Sequence, residues 1–502
     1  MNAHNDRCMR VIPCMTAISN SRFTLLNCGE NRRQQSRAIR DIPWRVKRMS
    51  QRERTAVIGG GMAGCAAAKE LIKAGREVVI FEAAAGLGGR ARSWHRSEIE
   101  PSVGINLWFT SFYKLMFERI HEYGLEDQLV EMSNNVIVVD KGQPAELLSD
   151  SLRSLLTYKH VALKDRIGFL TGTMKETLKR KQLDIFDPIK LAPFDDGTTA
   201  AEYARKSLSQ RGFDNLLRPE IESFWLWRCE DISAAHVRAM QAQVAGAKFY
   251  VFRNGMEVIA ERNAEGADIR LEHEVTDLQV TDGRVHITAR SADGESHAEV
   301  FDDVVVATTA PVAAKLTAAL PNDIVGRDTR EFLETQVYEP ALSVSYLVDF
   351  SSMPSEAHIV AAGADDPPVK TIITFPRKVK DEQGRSVDKH LAFVYPGRAE
   401  TRRLLALSPE EQYAETTRLV TQLWPDFPVD EAEPFEIAVR PHAMPLPSPG
   451  RYRMSARVIG LQHAPVVFAG DYFTSPISEA AMLSGIRAAE KLTTAGKLTT
   501  AG

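Results

Sequence analysis

The stretch Thr55 to Glu82, TAVIGGGMAGCAAAKELIKAGREVVIFE, decides how this chain folds. Thr55 to Ile58 is short, apolar and β-branched, as a strand buried inside a parallel sheet should be. Gly59-x-Gly61-x-x-Gly64 follows at once. Met62 to Ala74 then predicts a helix rich in Ala and Leu, with Lys69, Glu70 and Lys73 on its polar side and Gly75 ending it. Glu77 to Phe81 predicts a second strand, with Glu82 at its carboxyl end. Each glycine has a physical task. Gly59 permits the tight turn, Gly61 lets a pyrophosphate approach the backbone, and Gly64 brings helix and strand close together. Free N–H groups at the helix start point at phosphate.

Glu82 stands 23 residues after Gly59, a suitable offset for accepting hydrogen bonds from a ribose 2′-OH. Its charge would repel a 2′-phosphate, so FAD or NAD fits better than NADP. The next run, Gly86-Leu87-Gly88-Gly89-Arg90-Ala91-Arg92, adds a second flexible cradle with a fixed positive charge; the bland alternative is an exposed glycine-rich loop with surface arginines. Near the far end, Pro465 to Ala469 predicts another apolar strand, followed by Gly470-Asp471 and a helix over Ala481 to Leu492.

These pieces together resemble the flavin-containing amine oxidase superfamily, which includes monoamine oxidases, protoporphyrinogen oxidases and phytoene-desaturase-like enzymes. The resemblance rests on EAAAGLGGRARS and on FAGDYFTSPISEAAMLSGIRAAEKL, and covers nearly everything after residue 52. It implies FAD as cofactor, held by Gly59, Gly61, Gly64, Glu82, Gly88, Gly89 and Arg90, with Arg90 approaching the diphosphate. It also implies backbone contacts from Val275 to adenine, Gly470 and Asp471 near the ribityl hydroxyls, and Glu479 with its neighbours near the pyrimidine side of the flavin. Val304 to Pro311 resembles the strand that passes back under the dinucleotide.

The implied fold class is α/β, a Rossmann-like FAD-binding domain interleaved with an α+β substrate-binding domain. Residues 52–108, 245–320 and 455–502 would build the FAD domain, and 109–244 and 321–454 the substrate domain. Helical patterns dominate 111–240, as in Phe112 to Tyr123 and Ala200 to Ser209, while Leu342 to Phe350 and Thr371 to Phe375 alternate as strands do.

Composition sets outer limits. The 502 residues are too many for one ordinary core. A net charge of -4 argues against a generic nucleic-acid binder. The longest apolar run falls short of the roughly 18 residues a membrane span needs, which leaves a cytoplasmic location with peripheral membrane contact open. Five cysteines form no CxxC pair and no ladder with histidines, so neither a disulfide framework nor a metal site is expected. Residues 1–48 hold ten Lys or Arg against three Asp or Glu. They read as a basic targeting segment or as an upstream extension before Met49, and residues 1–51 are expected to be disordered either way.

Flavin chemistry needs placement more than a catalytic triad. His442, in RPHAMPLPSPG beside Arg440, is the best acid–base candidate. Arg228, after Phe224, Trp225 and Trp227, could meet a carboxylate or hydroxyl, although aromatics at that density also serve as core. Two departures bear on substrate. Many amine oxidases have a cage tyrosine where this chain has Ile477, and desaturase relatives have a histidine where this chain has Asn106. The leading expectation is therefore oxidation of a hydrophobic cyclic or isoprenoid-like substrate by hydride transfer to flavin N5, with O₂ or a quinone as acceptor. Amine or amino-acid oxidation is the first alternative, and a non-catalytic flavin-binding partner the second. Oligomeric state is not set by sequence.

Overall fold

A computed structural model of the chain describes residues 52–94, 99–100, 103–104, 109–133, 135–148, 151–244, 246–349, 351–354, 356–363, 366–381 and 383–499. Strand β1 (Arg54–Ile58), helix α1 (Met62–Lys73) and strand β2 (Glu77–Phe81) form the opening unit. Three short strands distant in sequence join it: β3 (Asp268–Arg270), β4 (Asp303–Val306) and β5 (Val466–Phe468). The sheet order is β3-β2-β1-β4-β5, parallel throughout. Its three central strands are apolar runs because helices or strands cover both faces.

Register matters most for function. Ile58 lies beside Phe81 and Val306, and Val306 beside Phe468. The residues that follow these strands, Gly59, Glu82, Ala307 and Ala469, therefore emerge along one edge. Helix α2 (Lys114–Tyr123) and helix α3 (Ala310–Thr317) lead away from that region, and helix α4 (Ser478–Thr499) packs along α1. A Cβ built on Gly485 of α4 would lie 2.0 Å from the Ala63 carbonyl oxygen, so the two backbones touch directly.

The second large sheet is mostly antiparallel. Its strands run Glu433–Pro445, Tyr338–Asp349, Ser386–Pro396, Val369–Lys380, Ala357–Ala361, Asn135–Asp140 and Gln143–Leu148, with Ile99–Glu100 beside Val369–Lys380. One face packs Leu342, Val344 and Tyr346 against Leu419, Val420 and Leu423 of helix Pro409–Leu423. The other carries Ile373, Phe375, Leu391, Phe393 and Tyr395, together with Leu226. The fold is thus α/β, a Rossmann-like dinucleotide layer interleaved with an α+β layer.

Helices dominate 111–240 as expected, with one addition, and a second expectation needs correction. The region 111–240 contains the strands Leu129–Met132, Asn135–Asp140 and Gln143–Leu148 as well as helices. Val136 to Val139 is a β-branched run that pairs antiparallel with the nearby Gln143–Leu148 and in parallel with the distant Ala357–Ala361. The helix at Ala200 stops at Ala204. Thr199 and Glu202 close a capping box at its start, and the chain turns before a new cap at Ser209. No helix among the described residues is long and apolar enough to cross a membrane.

Glycine substitutions separate contact from space. Gly485→Val should cost about 2 kcal/mol or more, because backbone rather than a movable side chain blocks the new atoms. Gly460→Ala, whose Cβ meets nothing within 4 Å, should be neutral or stabilising by up to about 1 kcal/mol. Urea unfolding at equilibrium checks both; equal effects would overturn the packing account.

Candidate functional site

At the carboxyl edge of the parallel sheet, two glycine-rich segments lie against each other. The Gly59 N–H donates to Phe81 at 2.8 Å and the Gly88 N–H to Gly60 at 2.8 Å. Gly59 has φ +105°, and a Cβ there would sit 2.8 Å from the Ala307 oxygen. A Cβ on Gly64 would fall 1.9 Å from the Gly59 oxygen. Gly61 differs: it starts α1 with no side-chain cap, and a Cβ there would meet nothing within 4 Å. Open space therefore faces the uncapped N–H groups of a helix start, the geometry that receives a phosphate. Gly89, at φ +58°, keeps the second loop within van der Waals reach of Gly61.

Glu82 stands at one end of this edge. Its carboxylate accepts from Gly60 N–H at 2.7 Å and Ala84 N–H at 2.8 Å. Its carbonyl accepts from His273 N–H at 2.9 Å. Val275 follows two residues later, buried in the same cluster as Phe81. The structure thus brings Glu82 and Val275 to one end of the edge.

Arg90 and Asp471 mark the other end. Arg90 Nη2 donates to Asp471 Oδ1 at 2.6 Å, and Nη1 to the Ala443 carbonyl at 2.6 Å. Burial opposes the Arg90 charge, but the Asp471 carboxylate outweighs it and holds the guanidinium above its ordinary value. Gly470 anchors the turn through its N–H to Ser484 Oγ at 2.8 Å. His442 follows Arg440 on strand Glu433–Pro445, one residue before Ala443. Its Nδ1 lies 3.4 Å from Thr309 Oγ1, and its ring is 5.3 Å from that of Tyr338. The Tyr338 hydroxyl accepts from Ala310 N–H at 3.1 Å, at the start of α3, and burial raises its pKa. Arg90, Asp471, Tyr338 and His442 converge here although they come from four distant segments.

The remaining candidates have different surroundings. Glu479 gives both oxygens to the start of α2, accepting from Leu115 N–H at 2.7 Å and Met116 N–H at 2.8 Å. Burial pushes its carboxyl up to about 7, against those two hydrogen bonds. Its carboxylate caps a helix instead of turning to the glycine loops. Arg228 is half-buried in a turn whose carbonyl accepts from Asp231 N–H at 3.0 Å. Asn106 lies outside the described residues.

Most of the aromatic residues near Arg228 are core. Trp225 and Trp227 stack at 5.6 Å, and His236 sits edge-on to both. His236 is fully buried with Nδ1 2.8 Å from the Tyr452 hydroxyl, and burial pulls its pKa down to about 3. Phe109 is likewise closed in, stacked on Phe252 at 5.2 Å. Residue-level reading missed several supports. Lys370 is buried and its Nζ donates to the Leu226 carbonyl at 2.7 Å. Glu222 accepts from Arg218 at 2.9 Å, and burial raises its carboxyl to about 7. Glu257 accepts from Ser93 N–H at 3.0 Å and fills the space beside Gly88. These partners lie up to 164 positions apart, with no spacing signal between them.

The family profile described as flavin containing amine oxidoreductase matches residues 62–493. The chain belongs to that family. FAD is its cofactor. The zeta-carotene desaturase of Synechocystis is 24% identical over 263 residues, covering 47% of this chain and 53% of the relative. The (S)-6-hydroxynicotine oxidase of Paenarthrobacter nicotinovorans is 24% identical over 278 residues, covering 53% and 62%. The chain thus spans between half and two thirds of each curated relative. A solved putrescine oxidase bound to putrescine superposes with a TM-score of 0.64 at 16% identity, covering 88% of this chain and 98% of that one. That likeness is one of fold. The open space over Gly61, the uncapped helix start and the Glu82 carboxylate fit the diphosphate and ribose of this family's cofactor.

Gly61→Val should leave a folded protein that no longer retains FAD, since its Cβ meets nothing within 4 Å and its side chain would fill the open space at the helix start. Gly64→Val should fail to fold. Circular dichroism and the flavin absorbance of the purified variants distinguish the two outcomes.

His236 gives an acid dependence. An unfolded histidine takes a proton near 6.5, whereas folded His236 refuses one until about 3. Its contribution is complete above the unfolded value and is lost as pH falls toward the folded one, on the order of 5 kcal/mol in all. Between pH 4 and 6, His236→Gln should show a stability slope shallower by about one proton. Denaturant titrations across that range measure it.

Proposed function

We propose that this chain oxidises an organic amine with a bulky apolar body, and passes the electrons to O₂. One observation carries the reading: strand Glu433–Pro445 runs from the large sheet to the Arg90–Asp471 pair. It links the aromatic and aliphatic face of that sheet to the cofactor edge. Bound FAD supplies the two-electron acceptor for a C–H bond held against it.

The chain's own residues do the rest. Phe375, Phe393 and Tyr395 offer an apolar wall that excludes water from a substrate body. His442, steadied by Thr309, holds or takes the proton that an amine must lose before it is oxidised. Arg440 comes from the same strand; burial pulls its pKa down, and its Nη1 donates to the Val439 carbonyl at 3.3 Å. The buried Ile477, standing where a cage tyrosine is expected, favours recognition of the apolar body over the nitrogen. The relatives named for hydroxynicotine and putrescine support an amine.

A second reading, desaturation of an isoprenoid, draws on the zeta-carotene desaturase relative and on the same apolar wall. Anaerobic titration of the holoenzyme decides between them. Amines should bleach the flavin, and admitting air should release about one hydrogen peroxide per product. Bleaching by polyenes alone would replace the first reading with the second. His442→Gln should slow bleaching by about a hundredfold while leaving substrate affinity nearly unchanged; an unchanged rate would remove His442 from the chemistry.

A further inference from the structure

Helix Leu163–Thr177 is folded with its polarity reversed. Its two acids face inward and are 3% and 1% exposed: Asp165 and Glu176. Asp165 accepts from the Ser209 N–H and hydroxyl, each at 2.8 Å. Glu176 accepts from Tyr203 and Arg238, each at 3.2 Å. The outward face is apolar. Leu163, Ile167, Met174 and Leu178 are 58, 48, 60 and 89% exposed, at spacings of four, seven and four that align them on one side of a helix.

The preceding short helix, Leu152–Thr157, extends the patch with Leu152 and Leu156, both exposed. Arg166 ties the two helices together by donating to the Leu156 and Val161 carbonyls. Single exposed leucines are ordinary, but a continuous apolar stripe over inward carboxylates is not.

Charge identifies what covers this face. Within residues 151–183 the only acids are Asp165 and Glu176, both buried. The exposed charges there are all positive and include Lys164, Lys175, Arg180 and Lys181, with Lys179 half-exposed. None of these five forms an ion pair with a carboxylate among the described residues. An apolar ridge bordered by unopposed cations complements a lipid surface with anionic headgroups: aliphatic side chains enter the acyl boundary while lysines meet phosphates.

We propose that residues 152–181 dock this protein peripherally on an anionic membrane surface. The probe is sedimentation of the full-length holoenzyme with vesicles of phosphatidylcholine alone, or with about 30% phosphatidylglycerol. Binding to the anionic vesicles should be on the order of a hundredfold tighter than to neutral ones and should weaken with added salt. Met174→Glu with Leu178→Glu should lower it about tenfold or more, as should Lys179→Glu, Arg180→Glu and Lys181→Glu together. These positions are solvated, so flavin absorbance and thermal midpoint should stay as in the wild type. Absence of binding to anionic vesicles, or wild-type binding by both variants, would overturn the proposal. So would a dimer that Met174→Glu with Leu178→Glu converts to monomer without any vesicle binding, since the face would then belong to a second copy.

Discussion

Where α1 leaves the parallel sheet, backbone packs on backbone with no side chain between. The missing Cβ atoms of Gly64 and Gly485 set how closely α1 can lie to β1 and α4 to α1. Close packing at these two points leaves the helix start beside the carboxyl edge of β1, with its N–H groups uncapped. The aligned ends of β2, β4 and β5 then deliver Glu82, Ala307 and Gly470 to the same edge. Dinucleotide binding depends on this alignment more than on any one hydrogen bond, because a displaced helix would move every phosphate donor together.

Buried charges that join distant segments are met by partners. Asp471 keeps Arg90 charged while Ala443 takes its second donor, which holds the strand from the large sheet at the cofactor edge. At the opposite end of the parallel sheet, Arg76 donates to Asp303, Thr55 and the Leu492 carbonyl. A lone buried charge at either place would be costly, so each pair also fixes the register of the segments it joins. Glu479 extends the pattern, with a carboxylate capping α2 from inside α4. The cofactor edge, the large sheet and the C-terminal helix are thereby coupled through polar contacts as well as through apolar packing.

The α+β part carries two hydrophobic surfaces in different settings. The inner sheet face, with Phe375, Phe393 and Tyr395, is buried within the protein. The outer stripe on Leu163–Thr177 faces water and is bordered by cations. An enzyme that draws an apolar substrate from a lipid phase would need both surfaces, and here they belong to the same part of the chain.

The sequence by itself determined the opening β–α–β unit, the glycine positions and Glu82, because strand period, helix period and a 23-residue offset are all local properties. It also marked Gly470 and Asp471, and with them the family's cofactor. Only the tertiary structure showed that Arg90 spends its donors on Asp471 and Ala443, that Glu479 caps α2, and that Val136 to Val139 pairs with Ala357–Ala361. Those outcomes turn on partners brought together from tens to hundreds of positions away. The inward carboxylates of Leu163–Thr177 belong to the same class: Asp165 and Glu176 look like an ordinary solvated face until Ser209, Tyr203 and Arg238 are seen to claim them. Local pattern reports what a segment can form, whereas the choice of which face is buried is made by the rest of the fold.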